Sequence, residues 1–129
     1  MNKIYIEASV GELIDKITIL EIKKEKISDK KSLEIINREY SSLKESVEKN
    51  VKISDEIKKL WSELKMLNLK LWEIEDGKRL AEKNKKFDES FIELARNVYK
   101  CNDLRAKIKS KINQLSGSNI REVKQYTKY

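Results

Sequence analysis

Apolar residues return along this chain at alternating steps of three and four in four separate stretches, the spacing of amphipathic α-helices. The first stretch follows Ser9, which reads as an N-cap with Glu12 completing a capping box. Its seam is Val10, Leu13, Ile17, Leu20, Lys24 and Ile27, widened by Ile14, while Ile19 and Ile22 lie on the far side. A helix apolar on two faces is expected to sit between partners. Ser28-Asp29 breaks and recaps the chain, and a second helix is expected from about Ser32 to Asn50 on Leu33, Ile36, Tyr40, Leu43 and Val47. Ser54 caps a third, with Asp55 and Glu56 suited to the positive end of its dipole. Its stripe is Ile57, Leu60, Leu64, Leu67, Leu71 and Ile74, flanked by Trp61 and Trp72, and Gly77 is its weak point. Asp88 caps the fourth, whose seam runs Phe91, Leu94, Val98, Cys101, Arg105, Ile108, Ile112, Leu115 and stops at Gly117. Ahead of the first helix, Lys3 to Glu7 has the make-up of one short strand; residues 118–129 form a short, partly flexible polar tail.

Short connections between such stripes predict an all-α fold, an antiparallel bundle of about four helices in one domain over residues 1–129. At 1.5 Å per residue the third and fourth helices reach roughly 42–45 Å and the first two nearer 28 Å. Part of the long hairpin is therefore left uncovered, and a homodimer would cover it.

Composition narrows the chemistry. The 129 residues include no His and no Pro, three Gly and one Cys. Imidazole bases, Ser-His-Asp and Cys-His triads and His-metal sites are excluded, and one Cys makes neither an internal disulfide nor a cysteine zinc cluster. No apolar run approaches the ~18 residues of a membrane span, and no signal-peptide core is evident, so a cytoplasmic location is expected. The net charge is +7, from 29 basic and 22 acidic side chains. Residues 88–129 hold nine basic and five acidic groups, so the excess gathers toward the fourth helix. Lys outnumbers Arg 24 to 5, and most Lys have an acidic neighbour, as on a solvated helix face. Nucleic-acid binding through Lys100, Lys107 and Lys111 thus ranks last among the readings, with Lys109 lying between them.

Several polar groups fall inside apolar arcs. Arg105 sits at the centre of the fourth helix's arc with Asn102 inside it; Asn68 and Glu75 fall inside that of the third, with Arg79 at its edge. Pairing the two long helices about their loop levels residues whose numbers sum to about 173, which sets Asn68 opposite Arg105 and Glu75 about one turn from Asn102. An internal layer of Asn68, Glu75, Asn102 and Arg105 follows. It has two readings: a structural layer with an Arg–Glu pair that fixes register, or a ligand pocket in which Arg105 clamps a phosphate or carboxylate. Arg96, Tyr99 and Asp103 share a second stripe with Ile92, read first as packing. Glu45, Glu48, Glu73 and Asp76 have the spacing of helical Mg²⁺ carboxylates in all-α pyrophosphohydrolases, but Glu45, Glu48 and Glu73 point away from their stripes. Cys101 reads as a small buried hydrophobe. No catalytic group, metal or cofactor is assigned.

Two blocks are specific: Ser9-Val-Gly-Glu-Leu-Ile-Asp-Lys-Ile-Thr-Ile-Leu-Glu-Ile-Lys23, and Phe91-Ile-Glu-Leu-Ala-Arg-Asn-Val-Tyr99 continuing through Asn102-Asp-Leu-Arg-Ala-Lys-Ile-Lys109. With Leu71-Trp-Glu-Ile-Glu-Asp76 between them, they resemble a family of small helical proteins of bacteria and large viruses or phages, catalogued as a domain of unknown function. The resemblance covers nearly the whole chain. It implies a setting beside, or fused to, glycosyltransferases and surface-polysaccharide enzymes. It also implies importance for Asp15, Lys16, Thr18, Trp72, Glu75, Asp76, Arg96, Tyr99, Asn102, Asp103 and Arg105. Asp15 and Thr18 lie off the main stripe of the first helix and would complete the polar layer if that helix is sandwiched. In the tail, Val123 stands where the family tends to carry an acidic residue.

The functions expected are then, in order, a non-catalytic binding or assembly module with a protein partner in glycan assembly; a protein binding a nucleotide sugar or other phosphorylated small molecule at the polar layer; and a nucleic-acid binder.

Overall fold

The computed structural model describes residues 2–118, 123 and 125–128. Four helices account for most of the chain: α1 (Val10–Lys26), α2 (Lys30–Asn50), α3 (Asp55–Asn84) and α4 (Glu89–Ser116). Each begins where its sequence supplies a cap. The Oγ of Ser9 accepts from the Glu12 amide at 3.1 Å, Asp29 from Ser32 at 3.0 Å, Ser54 from Ile57 at 3.2 Å and Asp88 from Phe91 at 3.3 Å. The capping box at α1 is only half made, because the Glu12 carboxylate turns away to the Lys109 ammonium at 2.8 Å. Gly117 closes α4 with φ 67°, a left-handed conformation that costs a glycine little.

The helices pack up-down-up-down. Gly11 meets Asn113 and Asp15 meets Arg105, so α1 runs antiparallel to α4. The α3/α4 hairpin is antiparallel too, which leaves α1 and α3 parallel. The helix α1 packs against all three others, while α2 is laid only on α1 along its backbone. This is the sandwiched position its two apolar faces require. Ile14, Ile17, Val47, Ile57, Leu60, Leu64 and Ile112 form the buried core, with Val10, Leu13, Tyr40 and Ile108 packed around it. On the outer side, Lys65 joins Glu25 at 2.9 Å and Glu21 at 3.4 Å, and the Trp61 indole N–H donates to Glu21 at 2.9 Å. The bond to Lys65 holds the Glu25 carboxyl below its ordinary value and raises the Lys65 ammonium above its own.

One sequence expectation changes. No strand forms among the described residues: 2–9 are irregular, with Ile4, Tyr5 and Ile6 more than four-fifths exposed. A strand needs an edge that accepts its backbone hydrogen bonds, and helices present none. Gly77 neither ends nor breaks α3, which continues to Asn84. A Cβ at Gly77 would stand 3.1 Å from Leu94 Cδ1, the tip of a half-buried, flexible side chain. Alanine is favoured over glycine in a helix by about 1 kcal/mol, and a small rotation of Leu94 relieves the contact. Gly77→Ala is therefore expected to be neutral to stabilising by up to about 1 kcal/mol. Urea unfolding of the variant checks this.

Candidate functional site

The buried polar layer is organised by Asp15. This residue is 2% exposed, at the level where α1 crosses both long helices. Arg105 of α4 grips it with two donors: Nε reaches Oδ1 at 2.8 Å and NH2 reaches Oδ2 at 2.5 Å. Asn68 of α3 donates its Nδ2 to Asp15 Oδ1 at 2.8 Å and to Thr18 Oγ1 at 2.9 Å. The Thr18 hydroxyl in turn donates to the Asp15 carbonyl at 2.7 Å, one turn earlier in α1. The third face of the Arg105 guanidinium meets Asn102 Oδ1 at 3.3 Å. A paired guanidinium and carboxylate with extra hydrogen bonds is the form in which such charges tolerate burial.

Five of the residues singled out in the sequence meet here: Asp15, Thr18, Asn68, Asn102 and Arg105. Asn68 and Arg105 do stand level, since both hold the same carboxylate oxygen. Asp15 and Thr18 complete the layer from α1. The ionic partner of Arg105 is Asp15 rather than Glu75. Glu75 lies toward solvent, 3.3 Å from Lys78 and 3.7 Å from Arg79. A Glu reaching across from the antiparallel neighbour α3 is not needed once α1 supplies a shorter carboxylate at the crossing. Arg96 is exposed and bridges to Glu93 at 3.3 Å. Tyr99 and Asp103 line a pocket of about 760 Å³ with Val98, Asn102, Tyr126, Thr127 and Lys128, so Asn102 borders both that pocket and the layer. The remainder of the polar tail, 119–122, 124 and 129, falls outside the described residues.

The layer opens on one side into a groove of about 360 Å³ between α1 and α3, which Arg105 of α4 also lines. Ile19, Ile22, Leu71 and Trp72 supply its apolar wall, and Asn68, Glu75, Asp76 and Arg79 its polar groups. The far-side isoleucines of α1 thus have a use: Ile19 and Ile22 both line this groove, Ile22 almost wholly buried. Glu75 belongs to the groove, although not to the buried layer.

Some signals were missed. Lys109, expected among outward lysines, is 8% exposed and held by Glu12. Asn113 is 2% exposed and accepts from the Gly11 amide at 2.7 Å, while Ser118 accepts from Val10 at 3.2 Å. Wheel position alone would not reveal these, because they depend on the close approach of α1 to the end of α4. Glu45 pairs with Lys49 at 2.7 Å. Among the described residues, no three His, Cys, Asp or Glu side chains gather as a metal-binding group, and no helix is long and apolar enough to cross a membrane.

No curated protein and no solved structure is matched by this chain. Residues 4–129, which hold the Asp15 layer, the groove and both long helices, match the model of a family of unknown function, DUF6165, and the chain belongs to that family.

Proposed function

We propose that this chain is a non-catalytic helical binding or assembly module. In this reading it works in the cytoplasm of a bacterium, or of a cell infected by a large virus or phage, beside glycosyltransferases that build surface polysaccharide. The observation that carries it is the far end of the α3/α4 hairpin. At 1.5 Å per residue α1 spans about 25 Å and α3 about 45 Å. Beyond the reach of α1, Leu80, Phe87 and Ile92 are 58%, 52% and 46% exposed. Apolar side chains gathered at one end suit burial against a protein, either a second copy or an enzyme partner. The internal pairing of the layer points the same way: the Asp15 and Arg105 charges are matched to each other, which suits a register device better than a reacting group. Light scattering after size exclusion, alone and with a purified glycosyltransferase encoded beside the gene, tests the reading. A stable complex, lost in Phe87→Ser/Ile92→Ser, supports it. A chain that stays at its monomer mass of 15.2 kDa with every such enzyme contradicts it.

A second reading rests on the groove, as a site for a small ligand such as a nucleotide sugar or other phosphorylated compound. Arg105 and Arg79 both line it and can meet an anion. Such an anion would compete with the buried Asp15 carboxylate for Arg105. A thermal-shift series with nucleotide sugars and sugar phosphates tests this, with Trp72→Leu as the control; saturable stabilisation absent from the variant would place the ligand in the groove.

A further inference from the structure

The groove beside the buried layer shows which chemistry it would accept; this rests on the second reading only in that the groove is a small-ligand site, and a cation replaces the phosphorylated ligand. Asn68 is only 6% exposed. Its amide orientation is fixed by its neighbours: the Asp15 carboxylate can only accept, and the Thr18 hydroxyl spends its proton on the Asp15 carbonyl, so the Nδ2 edge must face both. Both N–H donors are thereby used. Asn68 lines the groove, and the hydrogen bonds it makes to Asp15 and Thr18 all run from Nδ2, which leaves its carbonyl oxygen as the edge available to a ligand. Among the described residues no side-chain nitrogen or oxygen is both fully buried and without a partner, so this carbonyl meets solvent, and a ligand donor would take the place of water there.

The charges on the wall have the same bias. Arg105 is matched by Asp15, and Arg79 faces Glu75 at 3.7 Å, a carboxylate that Lys78 also holds from outside the wall. Asp76 lines the groove and has no ion-pair partner among the described residues. Beside these acceptors stands the Trp72 indole, whose face attracts cations, with Ile19, Ile22 and Leu71 around it. An ammonium group carries three donors and no acceptor. It would satisfy the Asn68 carbonyl and the Asp76 carboxylate while an attached carbon chain covers the apolar wall.

We infer that the groove between α1 and α3 binds a small organic amine in its protonated form, with Asn68 and Asp76 as its acceptors and Trp72 against its carbon chain. The net charge of +7 does not favour cations in general, so an amine held here is held by local contacts.

The test follows the two indole N–H resonances by NMR while n-butylammonium, n-butanol or inorganic phosphate is titrated in. Trp61, hydrogen-bonded to Glu21, is the internal reference, and Trp61→Phe assigns the pair. The inference expects a saturable shift of Trp72 with butylammonium, at most a small shift with the equally long neutral alcohol, and none with phosphate. Asp76→Asn changes an exposed side chain and leaves the fold intact; it should weaken butylammonium about tenfold, the equivalent of one charge-assisted hydrogen bond. If phosphate or butanol moves Trp72 as strongly as the amine, the groove binds ligands and the amine assignment falls. If nothing moves Trp72, or both indoles drift together without saturation, the small-ligand reading of the groove falls with it.

Discussion

Arg105→Met is expected to cost about 3–5 kcal/mol of folding stability, the usual penalty for removing one partner of a buried ion pair. The loss comes less from the departed attraction than from what stays behind. Asp15 is 2% exposed, on a helix enclosed by three others, and cannot turn out to water. Without the guanidinium it keeps one side-chain donor, the Asn68 amide at 2.8 Å. Methionine fills the space of the arginine stem, so a cavity explains little of the effect. Urea denaturation gives the number directly. A fall below about 1 kcal/mol would mean that Asp15 reaches solvent or another cation on its own, as surface pairs do.

Gly11→Ala should be nearly as damaging, by about 2 kcal/mol or more, for an unrelated reason. A Cβ there would stand 2.6 Å from the Lys109 carbonyl oxygen and 2.9 Å from Asn113 Oδ1. The nearer atom is helix backbone and cannot rotate away, so α1 must lift from α4. That lift stretches the Gly11 N–H bond to Asn113, now 2.7 Å, and the Val10 bond to Ser118, now 3.2 Å. It also opens the crossing at which Asp15 meets Arg105. Forced overpacking of this sort costs about 1–3 kcal/mol, and the lost bonds add to it. A thermal midpoint several degrees below that of the parent is the expected readout. A midpoint unchanged within a degree would show that the two helices can separate cheaply.

The two changes bear on how far the sequence alone reaches. The four helices were legible because each carries its own cap and its own stripe of apolar residues, and neither depends on tertiary context. The level of Asn68 with Arg105 followed from the short α3/α4 loop. The partner of Arg105 did not, because a helical wheel says which residues face inward and not which helix they face. Glu75 and Asp15 both stood as carboxylates near an apolar arc; only the crossing of α1 chooses between them. Lys109 and Asn113 were hidden for the same reason. Their burial is created by Gly11, whose missing side chain lets two helices touch, and a glycine in sequence shows only that contact is allowed. The exposed Ile4-Tyr5-Ile6 run illustrates the opposite error, a local strand preference with no edge beside it.

The central claim is that Asp15 and Arg105 are a matched pair built into the bundle, on whose open side the groove lies. A double-mutant cycle on folding stability with Asp15→Leu and Arg105→Met tests it most directly. Each single change is expected to cost about 3–5 kcal/mol and the double variant to return most of that loss, since two apolar side chains leave no charge buried. Additive losses, with the double variant as unstable as the sum of the singles, would contradict it.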